Sequence, residues 1–400
     1  MRVGYVRKIR RLLLPWRRAR AFVIFAGKAV GRCLPLRNGS GLFFFFPFYQ
    51  VGGAEKVHAD IVACVAERRP WVFFTNQSKD TKFKPLFEKH ARLFDISFLT
   101  LGSLRYYGYV GALASLINRH EGAVVFGSNT VFFYHLISHL RKDVRRIDLL
   151  HNFGGGIEQV SLPFAPEIDT RVICIGRTLS DLETQYAAGG VEPRLLDRVE
   201  LIRLQVSVPD AYTEKQRGQA LRVLYVGRAA REKRVHLVCE AARRCRQMKI
   251  RAEFTLVGVT ESEMDERFSD SCIFKGEIAD PEALYEIYDR ADVLVLTSVY
   301  EGASLVVMEA MAHGAVPLST DVGGISDHVK HNINGILIEN GEEEQIVDAL
   351  CEAVYRLERD RSLLEEMSRE AYLYARQHFA PQRFCAAYCQ LLLREKPTPP

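Results

Sequence analysis

The chain has 400 residues, 48% of them hydrophobic and 26% charged, ordinary proportions for a soluble α/β protein and a length that on domain-size grounds holds two cored domains. Nine scattered cysteines, with close pairs only at Cys239/Cys245 and Cys385/Cys389, lack the partners of a zinc site and are read as thiols in a reducing compartment. The net charge of +5 hides an asymmetry, because eleven basic residues and no acidic one precede Glu55, leaving 43 basic against 49 acidic in the remainder; a body without basic excess argues against nucleic-acid binding.

Those basic residues interleave with Leu12, Leu13, Leu14, Trp16, Phe22, Val23, Ile24 and Phe25. The apolar run from Ala21 to Val30 is broken by Lys28 and falls far short of the roughly 20 residues that span a bilayer. The charged leader is too long and the apolar part too short for a secretory signal. Two readings stand: a basic amphipathic arm, residues 1–37, resting on an anionic membrane surface, or a helix packed on the first domain with solvated arginines.

Leu42 to Phe46 reads as a buried central strand, and Gly52-Gly53 follows at a strand-to-helix turn, where glycines permit close backbone approach and leave amides at the start of a helix from about Ala54 to Arg68. Further strands are expected at Trp71 to Thr75, Ile96 to Thr100, Val124 to Gly127, Arg146 to Leu150, Arg171 to Ile175 and Val199 to Ile202, with helical patterns between most of them. Such alternation implies a doubly wound parallel sheet. His151 stands just after one strand and is followed by three glycines at Gly154 to Gly156, a strand-end position that projects a polar side chain toward a ligand.

Ser207 to Gln219 is polar and aperiodic and reads as a linker. The pattern restarts with a strand at Leu221 to Val226, a loop carrying Arg228 and Lys233, and a helix from Val235. A fork donor and a point charge at a strand's carboxyl end suit a diphosphate. Strands at Glu253 to Val257 and Ile273 to Phe274 and a helix at Pro281 to Asp289 lead to the stretch that organises the rest. There the buried strand Val293 to Leu296 is followed by Glu301-Gly302-Ala303-Ser304 and by a helix whose only charge is Glu309. Ser304 is placed to cap that helix and Gly314 to end it. A carboxylate among Leu, Val, Met and Ala costs several kcal/mol unless it is bonded. Glu301 and Glu309 can accept from hydroxyls, and the amides from Ala303 through Leu305 to Val306 can donate to phosphate, so the inferred ligand is polyhydroxylated and anionic, such as a sugar nucleotide. After a strand at Ala315 to Thr320 and a loop at Gly323-Gly324, helices are expected at Glu342 to Leu357, Arg361 to His378 and Pro381 to Arg394, with a disordered tail from Lys396.

The ordered set Gly227-Arg228, Glu232-Lys233, Gly276, Asp292 to Ser298, Glu301-Gly302, Glu309-Ala310-Met311-Ala312, Gly323-Gly324 and Asn334-Gly335 resembles the retaining family 4 glycosyltransferases of GT-B fold. The resemblance implies two facing Rossmann-like domains with a cleft between them and a C-terminal helix crossing back. In those terms the chain divides into a basic arm (1–40), an acceptor domain (41–206), a linker (207–220), a nucleotide-sugar-binding domain (221–378), and a crossing helix with tail (379–400). It further implies that Glu301 contacts the donor sugar and Glu309 the ribose hydroxyls, that Arg228 and Lys233 hold the diphosphate, that Gly52-Gly53 lies beside the phosphate, and that His151 is near the sugar. The implied reaction moves a sugar from a UDP- or GDP-type donor to a hydroxyl of a glycan or lipid-linked acceptor with retention, without metal or other cofactor, at the inner face of the cytoplasmic membrane. A nucleotide-sugar epimerase and a non-catalytic membrane-bound scaffold of the same fold are the alternatives.

Overall fold

The computed structural model describes residues 17–33, 40–100, 102–215, 218–278 and 280–393. The chain forms two compact units, one of residues 1–202 with 385–400, the other of residues 203–384.

The first unit is built on a seven-stranded parallel sheet in the order β3-β2-β1-β4-β5-β6-β7. Its strands are β1 (Leu42–Phe46), β2 (Trp71–Phe74), β3 (Arg92–Asp95), β4 (Val124–Ser128), β5 (Arg145–Leu150), β6 (Thr170–Ile173) and β7 (Val199–Leu201). All five residues of β1 are buried, as an unalternating apolar strand at the centre of a covered sheet should be. Phe45 stacks on Phe73 at 5.0 Å between ring centres and lies against Phe132. The strand expected at Ile96 to Thr100 falls earlier, at Arg92–Asp95. The chain turns where the Asp95 carboxylate accepts from the Ser97 amide, and residues 97–100 coil into a 3-10 turn. Exposure of Arg92, Phe94 and Asp95 marks β3 as an edge strand, whose partial alternation the apolar signal underweights.

Of the basic arm, residues 1–16 and 34–37 lie outside the described residues. Arg17–Cys33 is helix α1, and it packs on the first unit. Gly27 and Gly31 let its backbone meet the helix of Ser103–Ile117: a Cβ on Gly27 would stand 2.1 Å from the Gly108 carbonyl oxygen, and one on Gly31 would stand 2.2 Å from that of Ala112. Arg20 lies over the Tyr107 ring at 4.3 Å. The opposite face leaves Phe22, Phe25 and Val30 exposed. No helix among the described residues is long and apolar enough to cross a membrane.

Helix α2 (Gly53–Cys64) follows the first glycine loop. In the second unit six parallel strands take the order β10-β9-β8-β11-β12-β13: β8 (Leu221–Val226), β9 (Ala252–Val257), β10 (Cys272–Phe274), β11 (Val293–Leu296), β12 (Val316–Thr320) and β13 (Ile336–Ile338). The last, three residues long, has no counterpart among the expected strands. Helices α3 (Pro281–Arg290) and α4 (Leu305–Ala312) flank β11 in the chain. The segment read as a linker is bonded to this unit: Tyr372 Oη donates to the Pro209 carbonyl at 2.8 Å, and Tyr212 Oη pairs with Ser368 Oγ at 3.0 Å.

Helix α5 (Pro381–Leu393) contributes its later residues to the first unit. There Cys385 forms a disulfide with Cys64 of α2, and Arg145 donates to the Leu391 carbonyl at 2.6 Å. The reading of every cysteine as a free thiol is thereby corrected. Spacing along the chain cannot disclose a pair 321 residues apart. The tail from Lys396 lies outside the described residues.

Candidate functional site

In the second unit the strand order reverses between β8 and β11, and ligands of open α/β sheets bind where the loops leaving such a reversal part. Both loops carry expected site residues. The β8 loop ends in a turn at Arg231–Lys233; the β11 loop runs from Thr297 to Ser304. They are tied together: Val299 N donates to the Glu232 carbonyl at 2.8 Å, and Thr297 Oγ1 donates to the carbonyls of Lys233 and Arg234, each at 2.9 Å. Arg234 returns the bond, with Nε 2.7 Å from the Thr297 carbonyl oxygen and Nη2 at 3.1 Å from that of Ser298 and 2.6 Å from Asn340 Oδ1.

This stitching brings Lys233 Nζ to 2.8 Å from Glu301 Oε1, which also accepts from Ser298 Oγ at 2.6 Å. Among the described residues both bonds fall on Oε1, which leaves Oε2 able to accept from a ligand. Glu301 is 7% exposed, and its charge is compensated by Lys233, as a buried carboxylate requires. Tyr225, at the end of β8, gives its hydroxyl to the Arg228 carbonyl at 3.2 Å. Burial, and then the Glu301 carboxylate, push that phenol up from its ordinary range. Arg228 itself reaches outward: its side chain is 83% exposed and 3.9 Å from Glu232. An exposed fork donor beside a paired cation suits an anion.

Gly302 and Ala303 are half-buried, and Ser304 is buried ahead of α4, where Leu305 and Val306 form the first, half-buried turn. Ser304 was expected to cap this helix through its side chain and does not. Its backbone carbonyl instead accepts from Val307 N and Met308 N. Gly314, at φ +64°, ends the helix as expected, with Ala315 N donating back to the Ala310 carbonyl at 2.8 Å. Glu309 has a protein partner that sequence did not disclose, the Tyr288 hydroxyl of α3, which donates to Oε2 at 3.0 Å. Tyr288 is wholly buried; burial, and then the adjoining Glu309, raise its pKa well above the phenol range.

In the first unit Gly52 precedes α2, and Gly53 begins it. Glu55 folds back over this turn, so that a Cβ on Gly52 would lie 2.2 Å from Glu55 Oε2. Burial raises the Glu55 pKa. His151, leaving β5, stands with Nε2 at 2.9 Å from Nε2 of His58 on α2. Burial lowers the His151 pKa to about 4 and holds His58 well below the histidine range, with His151 adding to the latter.

Residues 213–374 match the family model described as Glycosyl transferases group 1. The chain carries a group 1 glycosyl transferase domain. It is 24% identical over 266 residues to the amylovoran biosynthesis glycosyltransferase AmsK of Erwinia amylovora, an alignment covering 62% of this chain and 60% of that one. It is 23% identical over 303 residues to the lipopolysaccharide 1,2-N-acetylglucosaminetransferase of Salmonella typhimurium, covering 69% and 73%. Among solved structures, Anabaena HepE in complex with UDP superposes with a TM-score of 0.69 at 18% identity over 88% of this chain and 99% of that one. The lipopolysaccharide outer core galactosyltransferase WaaB does so at 0.68 and 16%, over 88% and 98%. These likenesses give the fold, GT-B.

The group 1 domain therefore holds Arg228, Lys233, Glu301, Gly302, Ala303, Ser304, Leu305, Val306 and Glu309, all within the matched span. Gly52, Gly53 and His151 lie in the other unit. Sequence reasoning missed Arg234, whose left-handed backbone, φ +46°, turns its guanidinium inward, as well as Tyr288 and His58. Arg234 alone left a trace, as a third basic residue in the strand-end loop of the group 1 domain.

Proposed function

We propose that the chain is a retaining glycosyltransferase that moves a sugar from a UDP- or GDP-type donor to a hydroxyl of a lipid-linked or polysaccharide acceptor in cell-surface glycan synthesis. The observation that carries the reading is the pairing of Lys233 with Glu301 at 2.8 Å beside the outward-reaching Arg228, at the strand-order reversal of a group 1 domain. Transfer breaks the bond from the anomeric carbon to the diphosphate and forms one to the acceptor oxygen. The electron pair leaves with the diphosphate, which also takes the acceptor's proton. Arg228 and Lys233 stabilise that departing charge in place of a metal ion; Glu301 Oε2 accepts from a sugar hydroxyl, and Glu309 accepts from the ribose. The UDP bound in HepE and the lipopolysaccharide named for the Salmonella relative support the donor and acceptor classes.

A thermal-shift screen with UDP, GDP, ADP, CMP and their sugar conjugates tests the donor. Saturation at 100 times the dissociation constant stabilises the fold by about 2.7 kcal/mol, and the response should vanish in Glu309→Ala. Silence across the panel in folded protein would remove the reading.

The same reading places the chain on the inner face of the cytoplasmic membrane. Supporting this are the exposed Phe22, Phe25 and Val30 of α1 and the eleven basic residues, unaccompanied by any acidic one, before Glu55; aromatic insertion and anionic lipid attraction reinforce each other. Because α1 packs on the first unit, deleting it would test folding as well. The double variant Phe22→Ser, Phe25→Ser should instead lose flotation with anionic vesicles; flotation at the wild-type level would exclude this surface.

A further inference from the structure

His58 is 0% exposed. Its ring stacks on Phe46 at 4.1 Å between centres and 11° between planes, and its Nε2 lies 2.9 Å from that of His151. Its Nδ1 is buried and has no partner among the described residues. An N–H···N bond holds one proton, so one ring donates through Nε2 and the other presents a bare Nε2. If His151 were the donor, His58 would keep its own proton on Nδ1, an orphaned donor in an apolar setting. If His58 is the donor, what it buries at Nδ1 is only a lone pair. Buried donors without acceptors are the rarer and costlier case.

We propose that His58 is a positioning residue that sets the tautomer of His151: His58 donates its Nε2–H, His151 accepts at Nε2, and His151 therefore carries its proton on Nδ1. His151 then meets a ligand as a hydrogen-bond donor, suited to a hydroxyl or ring oxygen of a sugar, and its basic nitrogen is occupied. It binds and orients, and the acceptor's proton goes elsewhere. The role toward a sugar rests on the glycosyltransferase reading; the tautomer does not.

The test is 15N-histidine NMR on the whole chain, with the His151 signals assigned by their loss in His151→Gln. Wild type should show His151 protonated at Nδ1 and bare at Nε2; the reverse pattern overturns the proposal. His58→Phe keeps the stack on Phe46 but cannot donate, and should shift His151 toward the Nε2–H form. His58→Gln, whose amide nitrogen can stand where Nε2 stood, should restore the wild-type pattern. A His151 tautomer unchanged in His58→Phe also overturns it. Should the Phe variant fail to fold, the wild-type and Gln spectra still decide. Where wild type transfers sugar, His58→Phe should lower kcat roughly tenfold, with recovery in His58→Gln. An equal loss in both variants would reduce His58 to packing. Absence of transfer by wild type with every donor would remove the glycosyltransferase reading and leave the spectral result standing.

Discussion

Lys233 Nζ and Glu301 Oε1 are 2.8 Å apart, the lysine 23% and the carboxylate 8% exposed at their side chains, so the pair joins the loops that leave β8 and β11. Lys233→Ala leaves the carboxylate with Ser298 as its hydrogen-bond donor. The expected cost is about 2 kcal/mol, below that of a fully buried pair, together with loss of the nucleotide-sugar response. Urea unfolding and the thermal-shift screen read the two effects separately.

Tyr288→Phe removes the hydroxyl that holds Glu309 and alters nothing else in shape. Nucleotide affinity should fall about five- to tenfold, the worth of roughly one ordinary hydrogen bond. Calorimetric titration with the responding nucleotide checks this, and an unaltered affinity would show that Glu309 is oriented without the phenol.

Gly323 has φ +59°, and a Cβ there would fall 1.6 Å from the Glu301 carbonyl oxygen. Gly323→Ala should therefore displace the Glu301 loop and abolish ligand response. Gly154→Ala, at φ +86° with open space around it, should cost only about 1–2 kcal/mol. Melting temperatures of the two variants make the comparison.

Between the neighbouring strands β5 and β6, Asp148 and Arg171 form a wholly buried pair at 2.7 Å, with Tyr134 and Tyr186 bonded to its two members. Arg171→Ala strands the carboxylate and should destabilise the first unit by about 3–5 kcal/mol, read from urea unfolding. Arg171→Met with Asp148→Leu should recover most of the loss.

Burial, followed by the nearby Arg20, lowers His135 to about 4; burial, followed by Arg203, lowers His328 to about 3. Their folded values lie below the unfolded one near 6.5, so in acid the unfolded state binds the extra protons. The associated stability is present above about pH 6.5 and is lost as pH falls toward 4 and 3, by roughly 3 kcal/mol for His135 and roughly 5 kcal/mol for His328. Urea midpoints from pH 7 to 4 should show the decline, and His135→Phe should flatten it.

Sequence by itself determined the α/β class, most strands, the Gly314 stop and the strand-end positions of Arg228, Lys233, Glu301 and His151. Apolar runs, turn glycines and charges at strand ends are local signals, written within a few residues. The edge strand β3 and the three-residue β13 escaped because so short or exposed a strand carries little of that signal. What only the tertiary structure decided is which groups complete one another. Tyr288 reaches Glu309 across 21 residues, Arg171 reaches Asp148 across 23, His58 reaches His151 across 93, and Cys385 reaches Cys64 across 321. It also decided that α1 packs through Gly27 and Gly31. These pairings arise from the packing of helices on sheets, where proximity in space is set by the whole topology and leaves no periodic trace along the chain.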